Sequence, residues 1–376
     1  MKHIYLHIPF CARRCIYCDF SIAVRSEIPA RRYLDAVYRE REHRKDVGEW
    51  DDAALETLYL GGGSPSLLPA EYVGDLLGYL LETEGSTETR PDVTLEDNPE
   101  NVTDASARAW ADADVNRVSL GVQSFDPTVL QWMHRTHLPA HAVTAARSLR
   151  EAGVDSLSID LIAALPAQLG RNFSDDLARA LELQPDHISV YGLTVEPRTA
   201  LARRIARKAV TPATDEAYAR DFLLAHDLLT ESGFEHYEVS NYARQGRRST
   251  HNFAYWDGST YAGLGPSAHG FDGYERRWNV GPWVQYQRLI TELGDATGGR
   301  ELLSSDQASL ERVYLGLRVA EGLKLEEMRA FNQTLVTNFE ENGWAESKDG
   351  RWSLTAQGWL RLDEIVAALT TSPEGG

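Results

Sequence analysis

HIPFCARRCIYCDF, residues 7–20, contains all three cysteines of the chain, Cys11, Cys15 and Cys18. A disulfide framework uses an even number of cysteines spread over a short secreted chain, so these thiols are not expected to pair. Three thiols within eight residues indicate one metal site instead. Thiolates hold iron–sulfur clusters, and a four-iron electron carrier uses four of them. Three ligands leave one iron open, which is typical of a metal site that does chemistry.

Zinc is the alternative metal, because His7 with the three cysteines would make a Cys3His set. A zinc finger usually divides its ligands into two distant pairs, and the sequence has no second pair. The colour of anaerobically purified protein separates the two metals, since an iron–sulfur protein is brown and a zinc protein is colourless.

The composition of the 376 residues predicts a large hydrophobic core and about two domains. The net charge of −18 argues against nucleic acid as a partner, because binding phosphates requires positive charge. No run of about 18 apolar residues exists, so no membrane span is expected. A strand pattern that begins near Ile4 leaves no room for a signal peptide, and reduced cysteines fit a cytoplasmic location.

Short apolar runs alternate with longer helical patterns along most of the chain. The predicted strands are Ile4–Ile8, Thr57–Leu60, Val93–Glu96, Arg117–Val122, Ser156–Ile162, His187–Gly192 and Tyr237–Asn241. The predicted helices are Arg31–Asp46, Ala70–Leu81, Asp104–Asp112, Pro127–Arg150 in two pieces, Asn172–Leu183 and Thr214–Ser232. About six β–α units in series predict an α/β fold with a parallel sheet, open or curled toward a barrel.

Polar residues follow these strands where a ligand would bind, outside the carboxyl ends of a parallel sheet. The run GGGSPS at residues 61–66 follows the second strand and lacks the Gly-Lys-Ser/Thr ending of a phosphate-binding loop. Glu96 ends the third strand, Gln123 follows the fourth and Asp160 lies in the fifth. Each residue alone could be an ordinary surface side chain, but together they predict one site.

The spacing Cys11-x3-Cys15-x2-Cys18 resembles the cluster-binding motif of the radical S-adenosylmethionine (SAM) enzymes. The wider run from Tyr5 to Cys11 is similar to the oxygen-independent coproporphyrinogen III oxidase-like family, and the resemblance covers about residues 3 to 370. It implies a radical SAM partial (β/α)6 barrel with a C-terminal, mostly helical, winged-helix-like cap domain. It also implies a [4Fe-4S] cluster on the three cysteines, which in this family cleaves SAM once it is reduced.

The resemblance further implies a SAM pocket made of eight residues: Tyr5, Gly62, Gly63, Ser64, Glu96, Gln123, Arg135 and Asp160. The first four would hold the methionine and adenine parts, and Glu96 and Gln123 the amino acid or ribose end. Arg135 would pair with the SAM carboxylate, which its planar fork of donors suits. Asp160 would accept hydrogen bonds from the ribose hydroxyls.

Two features favour the heme chaperone branch of this family over the oxidase branch. Phe20 stands where the oxidases carry an additional cysteine, and ten residues precede Cys11 where the oxidases have a longer extension. The implied function is to bind heme and pass it to respiratory or other heme-dependent proteins. The alternative is an oxygen-independent coproporphyrinogen III oxidase, which decarboxylates two propionates in porphyrin biosynthesis. The sequence leaves open whether the chain is an enzyme.

Residues 250–256, THNFAYW, resemble the His-Asn-x-x-Tyr-Trp signature of the heme chaperone branch. Tyr255 and Trp256 offer flat apolar faces to a porphyrin ring, and His251 is a candidate axial ligand of the heme iron. His269 is the alternative ligand. Three arginines just before the signature are candidate partners of the heme propionates: Arg244, Arg247 and Arg248.

The C-terminal part predicts a helix from about Ser305 to Glu321, a helix from Leu325 to Asn342, a hairpin with its turn at 348–350, and a last helix from Ala356 to Leu369. The predicted domains are a radical SAM core over residues 1–240, a heme-signature and connecting region over 241–299, and a cap domain over 300–376.

The resemblance implies three kinds of partner: heme, heme-acceptor proteins and a reductant protein such as a flavodoxin or ferredoxin. It leaves a homodimer open, because family members dimerise under some conditions.

Overall fold

The computed structural model describes residues 1–51, 53–83 and 90–371. At its centre lies a nine-stranded sheet, with strands β1 His3–Ile8, β2 Thr57–Gly62, β3 Asp92–Asp97, β4 Arg117–Gln123, β5 Ser156–Ala163, β6 His187–Gly192, β7 Glu235–Glu238, β8 Asn241–Ala243 and β9 Ala262–Leu264. The strand order is β9-β1-β2-β3-β4-β5-β6-β8-β7. The strands from β9 to β6 are all parallel, and β8 and β7 are antiparallel. The parallel strands are mostly buried along their length, as expected where helices cover a sheet.

Ten helices connect or cover these strands: α1 Ala30–Asp46, α2 Ala70–Thr83, α3 Asp104–Asp112, α4 Pro127–Trp132, α5 Pro139–Glu151, α6 Phe173–Glu182, α7 Ala200–Ala206, α8 Asp215–Glu231, α9 Thr250–Trp256 and α10 Trp283–Leu293. Several begin at a side-chain cap that satisfies the free amides of the first turn. Thr103 accepts from Ser106 N before α3, and Asp126 accepts from Thr128 N before α4. The predicted helices between residues 31 and 232 and the predicted α/β class with a parallel sheet are confirmed within one or two residues at most ends.

The predicted strand Tyr237–Asn241 is wrong in its bounds and direction. A turn at residues 239–240 divides it into β7 and β8, which form an antiparallel hairpin with an irregular register at Asn241 and Tyr242. Strand β9 was not predicted, because Ala262–Leu264 is only three residues long and contains a glycine. It pairs with β1 and so extends the parallel sheet on the side opposite the hairpin.

A second, antiparallel sheet follows the central one, formed by β10 His269–Phe271, β11 Glu275–Asn279 and β12 Thr297–Leu302. The sequence pattern does not indicate this sheet. Its strands are rich in charged residues and glycine, so the alternation that indicates a half-buried strand is weak.

The C-terminal part contains helices α11 Ser305–Arg318, α12 Leu325–Met328, α13 Gln333–Glu341, α14 Ala356–Trp359 and α15 Leu362–Thr370, with strands β13 Leu323–Lys324, β14 Ala345–Lys348 and β15 Arg351–Leu354. Residues 372–376 of the predicted cap domain lie outside the described residues. The predicted helix from 325 to 342 is in fact two helices, because Asn332 caps a new one at Thr334 N and Leu335 N. The predicted hairpin is confirmed by the pairing of β14 with β15.

The C-terminal part packs directly against the central sheet and its helices. Phe222 of α8 belongs to the same apolar cluster as Trp352 and Trp359. Backbone hydrogen bonds join Val239 N to Arg318 O at 3.3 Å and Ala320 N to Tyr237 O at 2.9 Å. Within the residues that the structure describes, no helix is long and apolar enough to cross a membrane.

Candidate functional site

The three cysteines lie on the loop that leaves the carboxyl end of β1. Residues Phe10–Cys11 pair briefly with Ala23–Val24, and Arg25 N donates to Cys11 O at 3.0 Å. Ile16, between the second and third cysteines, is fully buried, and its amide donates to Met133 O at 3.3 Å. The thiols themselves are partly exposed and form no disulfide. The loop is therefore anchored at its centre while its sulfur atoms stay accessible.

A chain of hydrogen bonds joins two of these thiols across the carboxyl ends of the strands. Ser64 Oγ donates to Cys11 Sγ at 3.6 Å, and Asn98 Nδ2 donates to Ser64 Oγ at 2.8 Å. Arg135 donates through Nη2 to Asn98 Oδ1 at 2.6 Å and through Nη1 to Cys15 Sγ at 3.8 Å. Residues that follow β2, β3 and β4 thus meet at the cysteine loop, as the positions of the strand ends predict.

Asn98 is the member of this chain that the sequence analysis did not single out. It lies directly after β3, two residues beyond Glu96. Its position at the carboxyl end of a parallel strand could have indicated it. An amide both donates and accepts, so Asn98 can connect a hydroxyl with a guanidinium where a carboxylate could only accept.

The glycine run after β2 holds the cysteine loop by close backbone contact. Gly63 N donates to Ile8 O and Ser64 N donates to Phe10 O, each at 2.8 Å. A Cβ atom on Gly63 would lie 2.7 Å from Phe10 O, and one on Gly62 would lie 2.6 Å from the His7 ring. Gly62 also has a φ of 110°, which favours glycine. These glycines therefore have a role in packing, whatever ligand they contact.

We expect Gly62→Ala to destabilise the protein by about 1–3 kcal/mol, because it combines an unfavourable φ with overlap on His7. Urea unfolding with and without the substitution measures the change. Gly78→Ala is the matched control, since nothing lies within 4 Å of its added Cβ and α2 should gain up to about 1 kcal/mol. Equal stability of the two variants would contradict the close packing of this loop.

The two acidic residues predicted for the SAM pocket lie on β3 and β5, two strands that β4 separates. Glu96 accepts from Tyr59 OH at 2.8 Å and from Gly62 N at 3.0 Å. Asp160 accepts from Ser119 Oγ at 2.9 Å. Burial raises the pKa of both carboxyl groups, that of Asp160 to about 7. A buried carboxyl with a raised pKa is costly to ionise without a partner, so a ligand with hydroxyl donors suits this position.

Three further predicted pocket residues are Tyr5, Gln123 and Arg135. Tyr5 OH donates to His7 Nδ1 at 3.1 Å, and burial raises the pKa of this phenol well above its usual value. Gln123 ends β4 with a φ of 66°, an uncommon conformation for a residue other than glycine. Arg135 also donates to Gly121 O at 2.5 Å, and its buried Nε has no hydrogen-bond partner in the described part of the chain. That free donor fits a carboxylate ligand.

His7 is occupied by protein partners on both sides of its ring. Its Nε2 donates to Ser21 O at 3.0 Å, which leaves Nδ1 as the acceptor for Tyr5 OH. Burial lowers the pKa of His7 to about 4, so the ring is neutral. Across residues 1–51, 53–83 and 90–371, no three histidine, cysteine or acidic side chains form a compact set that could hold a single ion. A Cys3His zinc site that includes His7 would have to break the hydrogen bond at whichever ring nitrogen binds the metal.

The three thiols nevertheless fit a cluster, in which each thiolate binds a different iron and the sulfur atoms need not converge on one point. Burial raises the pKa of Cys11 to about 11. This thiol therefore keeps its proton at neutral pH until a metal replaces it.

A cavity of about 1160 Å³ opens between the sheet, helix α9 and the C-terminal part. It is larger than the usual range of about 300–1,000 Å³ for small-molecule sites. Tyr5, His7 and Gly62 line its inner end. The apolar wall is shared by α9, strand β10 and the C-terminal part: Phe253, Tyr255, Trp256, Phe271, Leu315, Val319 and Leu323. The cavity thus connects the predicted SAM pocket with α9, which carries the signature residues 250–256.

Of the three signature residues, Tyr255 and Trp256 line this cavity, whereas His251 lies behind them. His251 is buried, and its Nδ1 and Nε2 form hydrogen bonds with Thr57 Oγ1 at 2.7 Å and Tyr255 OH at 2.9 Å. Burial lowers its pKa to about 3. Coordination of a ligand in the cavity by His251 would require Tyr255 OH to move away. His269, at the start of β10, lies on the cavity wall itself, where it is exposed and stacks on Trp278.

Positive side chains also reach the cavity, but they are not the ones that the sequence predicts. Arg244, Arg247 and Arg248 do not line it: Arg244 donates to Pro185 O, Arg247 pairs with Asp186, and Arg248 pairs with Glu235 and Glu321. Glu321 is on the cavity wall, so Arg248 lies behind it. The predicted contact of these three arginines with a bound molecule there is therefore not supported. The cationic residues on the wall are Arg276, Arg312, Lys324 and Arg351.

Known proteins resemble this chain over most of its length. Residues 5–180 match the model of the radical SAM superfamily, and residues 303–361 match the model of the HemN C-terminal domain. A heme chaperone HemW of Mycobacterium tuberculosis is 35% identical, over 97% of this chain and 94% of that protein. The HemW of Bacillus subtilis is 30% identical, over 98% of this chain and 99% of that protein.

Among solved structures, the coproporphyrinogen III oxidase HemN from Escherichia coli, described as a radical SAM enzyme, aligns with a TM-score of 0.82. The alignment covers 98% of this chain and 90% of that protein at 24% identity. At this identity the likeness shows the fold alone. It confirms the predicted radical SAM fold class.

Proposed function

The chain belongs to the heme chaperone HemW family of radical SAM proteins, and from this we propose that it binds a [4Fe-4S] cluster, SAM and heme and delivers heme to heme-dependent proteins. The single observation that carries the proposal is the large cavity between the sheet and the C-terminal part, lined by Tyr255 and Trp256 of the signature. We further propose that it acts in the cytoplasm with a reductant protein as partner. A homodimer remains a prediction.

In this proposal Cys11, Cys15 and Cys18 hold the cluster. SAM would lie at the carboxyl ends of the strands, where Arg135 Nε offers a free donor to its carboxylate and Asp160 an acceptor to its ribose. When bound and reduced, the cluster supplies an electron that can cleave SAM. The protein's part is to hold SAM against the open iron and to exclude water, while Ser64, Asn98 and Arg135 fix the cysteine loop.

Heme would occupy the cavity with its flat faces against Tyr255, Trp256 and the apolar wall of the C-terminal part. Lys324 and Arg312 are exposed cations on that wall and suit the propionates. Arg312 pairs with Glu327 at 2.5 Å, so a propionate would have to compete with that carboxylate. His269, on the cavity wall, would be available as an axial ligand, whereas His251 would become available only after Tyr255 OH moves.

Anaerobic titration of the reconstituted protein with heme, followed by absorbance, tests the proposal. We expect saturable binding near one heme per chain. His269→Ala should shift the absorption bands, because an axial ligand is lost. His251→Ala should weaken binding about tenfold, because it frees Tyr255 from a buried hydrogen bond. His43→Ala, in α1 and outside the cavity, is the matched control.

Three other outcomes of the titration are informative. A band shift in His251→Ala but not in His269→Ala would assign the iron to His251 and imply that Tyr255 moves. Spectra and heme affinities equal to those of the parent protein in both variants would show that heme does not bind in this cavity. Absence of saturable binding, with turnover of coproporphyrinogen III in the presence of SAM and a reductant, would support the oxidase instead.

A further inference from the structure

Positive charge is concentrated around the cysteine loop, although the chain as a whole is strongly acidic. Residues 12–25 and 196–208 contain eight basic residues: Arg13, Arg14, Arg25, Arg198, Arg203, Arg204, Arg207 and Lys208. The same two segments contain two acidic residues, Asp19 and Glu196. Over the whole chain 38 basic residues are outnumbered by 56 acidic ones. The local excess is therefore opposite in sign to the net charge of −18.

The structure brings these two segments together into one surface. Leu201 N, in the first turn of α7, donates to Ile16 O at 2.8 Å. Ile16 and Leu201 are both fully buried in the same small apolar cluster. Arg198 Nη2 lies 3.1 Å from Asp19 Oδ2. The basic residues of α7 and the segment before it thus flank the loop that carries the cysteines.

Most of this charge is not neutralised by neighbouring carboxylates. Arg198 is the member of the group that forms an ion pair within the described residues. Arg14 donates to the carbonyl oxygens of Phe20 and Ile22, each at 3.2 Å, which fixes its charge beside the cysteines. Arg204 Nη2 lies 3.3 Å from His134 Nε2. The pKa of His134 is lowered by burial and by the positive charges of Arg204 and Arg13. The side chain of Phe20, in the same loop, is 63% exposed.

We infer that this basic rim, defined as Arg13, Arg14, Arg25, Arg198, Arg203 and Arg204, docks an acidic electron-donor protein that reduces the cluster. The inference rests on the proposed function, because it requires a cluster at the three cysteines. One electron leaves the reduced donor and enters the cluster, and no covalent bond forms or breaks at the surface.

Charge complementarity favours an acidic protein as the partner of this surface. An acidic chain repels most acidic proteins, so a positive patch at one place steers an acidic partner to it. Redox encounters are small and transient, and a basic rim with one exposed aromatic ring in the same loop suits such a contact. The partly exposed thiols place the cluster site at the same surface.

The test uses a reduced acidic flavodoxin as the donor and the triple variant Arg13→Glu, Arg25→Glu and Arg203→Glu. The control is Arg147→Glu, Lys348→Glu and Arg361→Glu, which changes the net charge equally but lies away from the rim. Two quantities are measured for each protein: flavodoxin affinity across a salt series and the rate of cluster bleaching under anaerobic conditions. Chemical reduction with dithionite provides a reading that needs no docking.

We expect the rim variant to bind flavodoxin at least tenfold more weakly at low salt, with the difference shrinking at high salt as the charges are screened. Its reduction by flavodoxin should slow by a similar factor, and its reduction by dithionite should be unchanged. The control variant should remain within about twofold of the parent protein.

Unchanged binding and reduction in the rim variant would overturn the inference. Salt-dependent binding of a DNA or RNA oligonucleotide that the rim variant loses, without any effect on flavodoxin, would assign the surface to nucleic acid and overturn it as well. Failure of dithionite to bleach the parent protein, together with an iron content near background, would instead show that the cluster is absent. That result would overturn the proposed function and the inference together, and it is distinguishable from a docking failure.

Discussion

Cys15→Ser is expected to abolish the iron–sulfur cluster. Three thiols are available for a four-iron cluster, and the described structure offers no other cysteine that could replace one of them. Cys15 is also the thiol that Arg135 Nη1 contacts at 3.8 Å, so the change alters one of the links between the loop and the predicted SAM pocket. Iron and sulfide analysis of the anaerobically reconstituted protein should fall from about four of each per chain to near background.

Ala12→Ser is the matched control, because it adds a hydroxyl to the same exposed loop without removing a thiol. It should keep the iron content and brown colour of the parent protein. Circular dichroism of both variants shows whether the fold is retained, since the loop is anchored by Ile16 rather than by the cysteines. Full iron content in Cys15→Ser would contradict the assignment of the cluster to these three residues.

Arg135→Leu is expected to lower the affinity for SAM by about 10–100-fold. The substitution removes the guanidinium whose free Nε would donate to the SAM carboxylate, and a hydrogen bond to a charged group contributes about 1.5–3 kcal/mol. It also leaves Asn98 Oδ1 and Gly121 O without their donor. Calorimetric titration of the reconstituted protein with SAM measures the loss.

Two further variants separate binding from structure. Arg135→Lys keeps the positive charge but loses the planar fork of donors, so its affinity should lie between those of the parent protein and Arg135→Leu. Arg147→Leu, on the exposed face of α5, should bind SAM normally. Iron content must be measured in parallel, because Arg135 also contacts Cys15. If Arg135→Leu keeps a full cluster and an unchanged affinity for SAM, Arg135 does not bind SAM.

The sequence predicts the central sheet well because its parallel strands are buried apolar runs that end in polar residues. The positions of Glu96, Gln123 and Asp160 in or at the ends of their strands follow from that pattern, and their role in a common pocket stays a prediction. Asn98 was overlooked, because an asparagine after a strand is also an ordinary turn residue. Its importance appears only from its contacts with Ser64 and Arg135.

The cavity could not be predicted in the same way, because it forms between elements distant in sequence. Leu315, Val319 and Leu323 come from the C-terminal part and reach the wall through the docking of α11 near α9. The burial of His251 behind Tyr255 also depends on tertiary contacts, since its partner Thr57 lies in β2, far away in the chain. A motif can therefore indicate which residues matter without revealing which of them face the ligand.

The most direct test of the heme chaperone function is heme transfer from the loaded, reconstituted protein to the apo form of a bacterial b-type cytochrome, followed by absorbance under anaerobic conditions. Our account predicts saturable uptake of about one heme per chain, followed by a shift of the absorption bands to those of the cytochrome. Variants that fill the cavity, such as Leu315→Trp, should take up less heme and transfer less. A parent protein that carries its cluster but takes up no heme saturably would contradict the account.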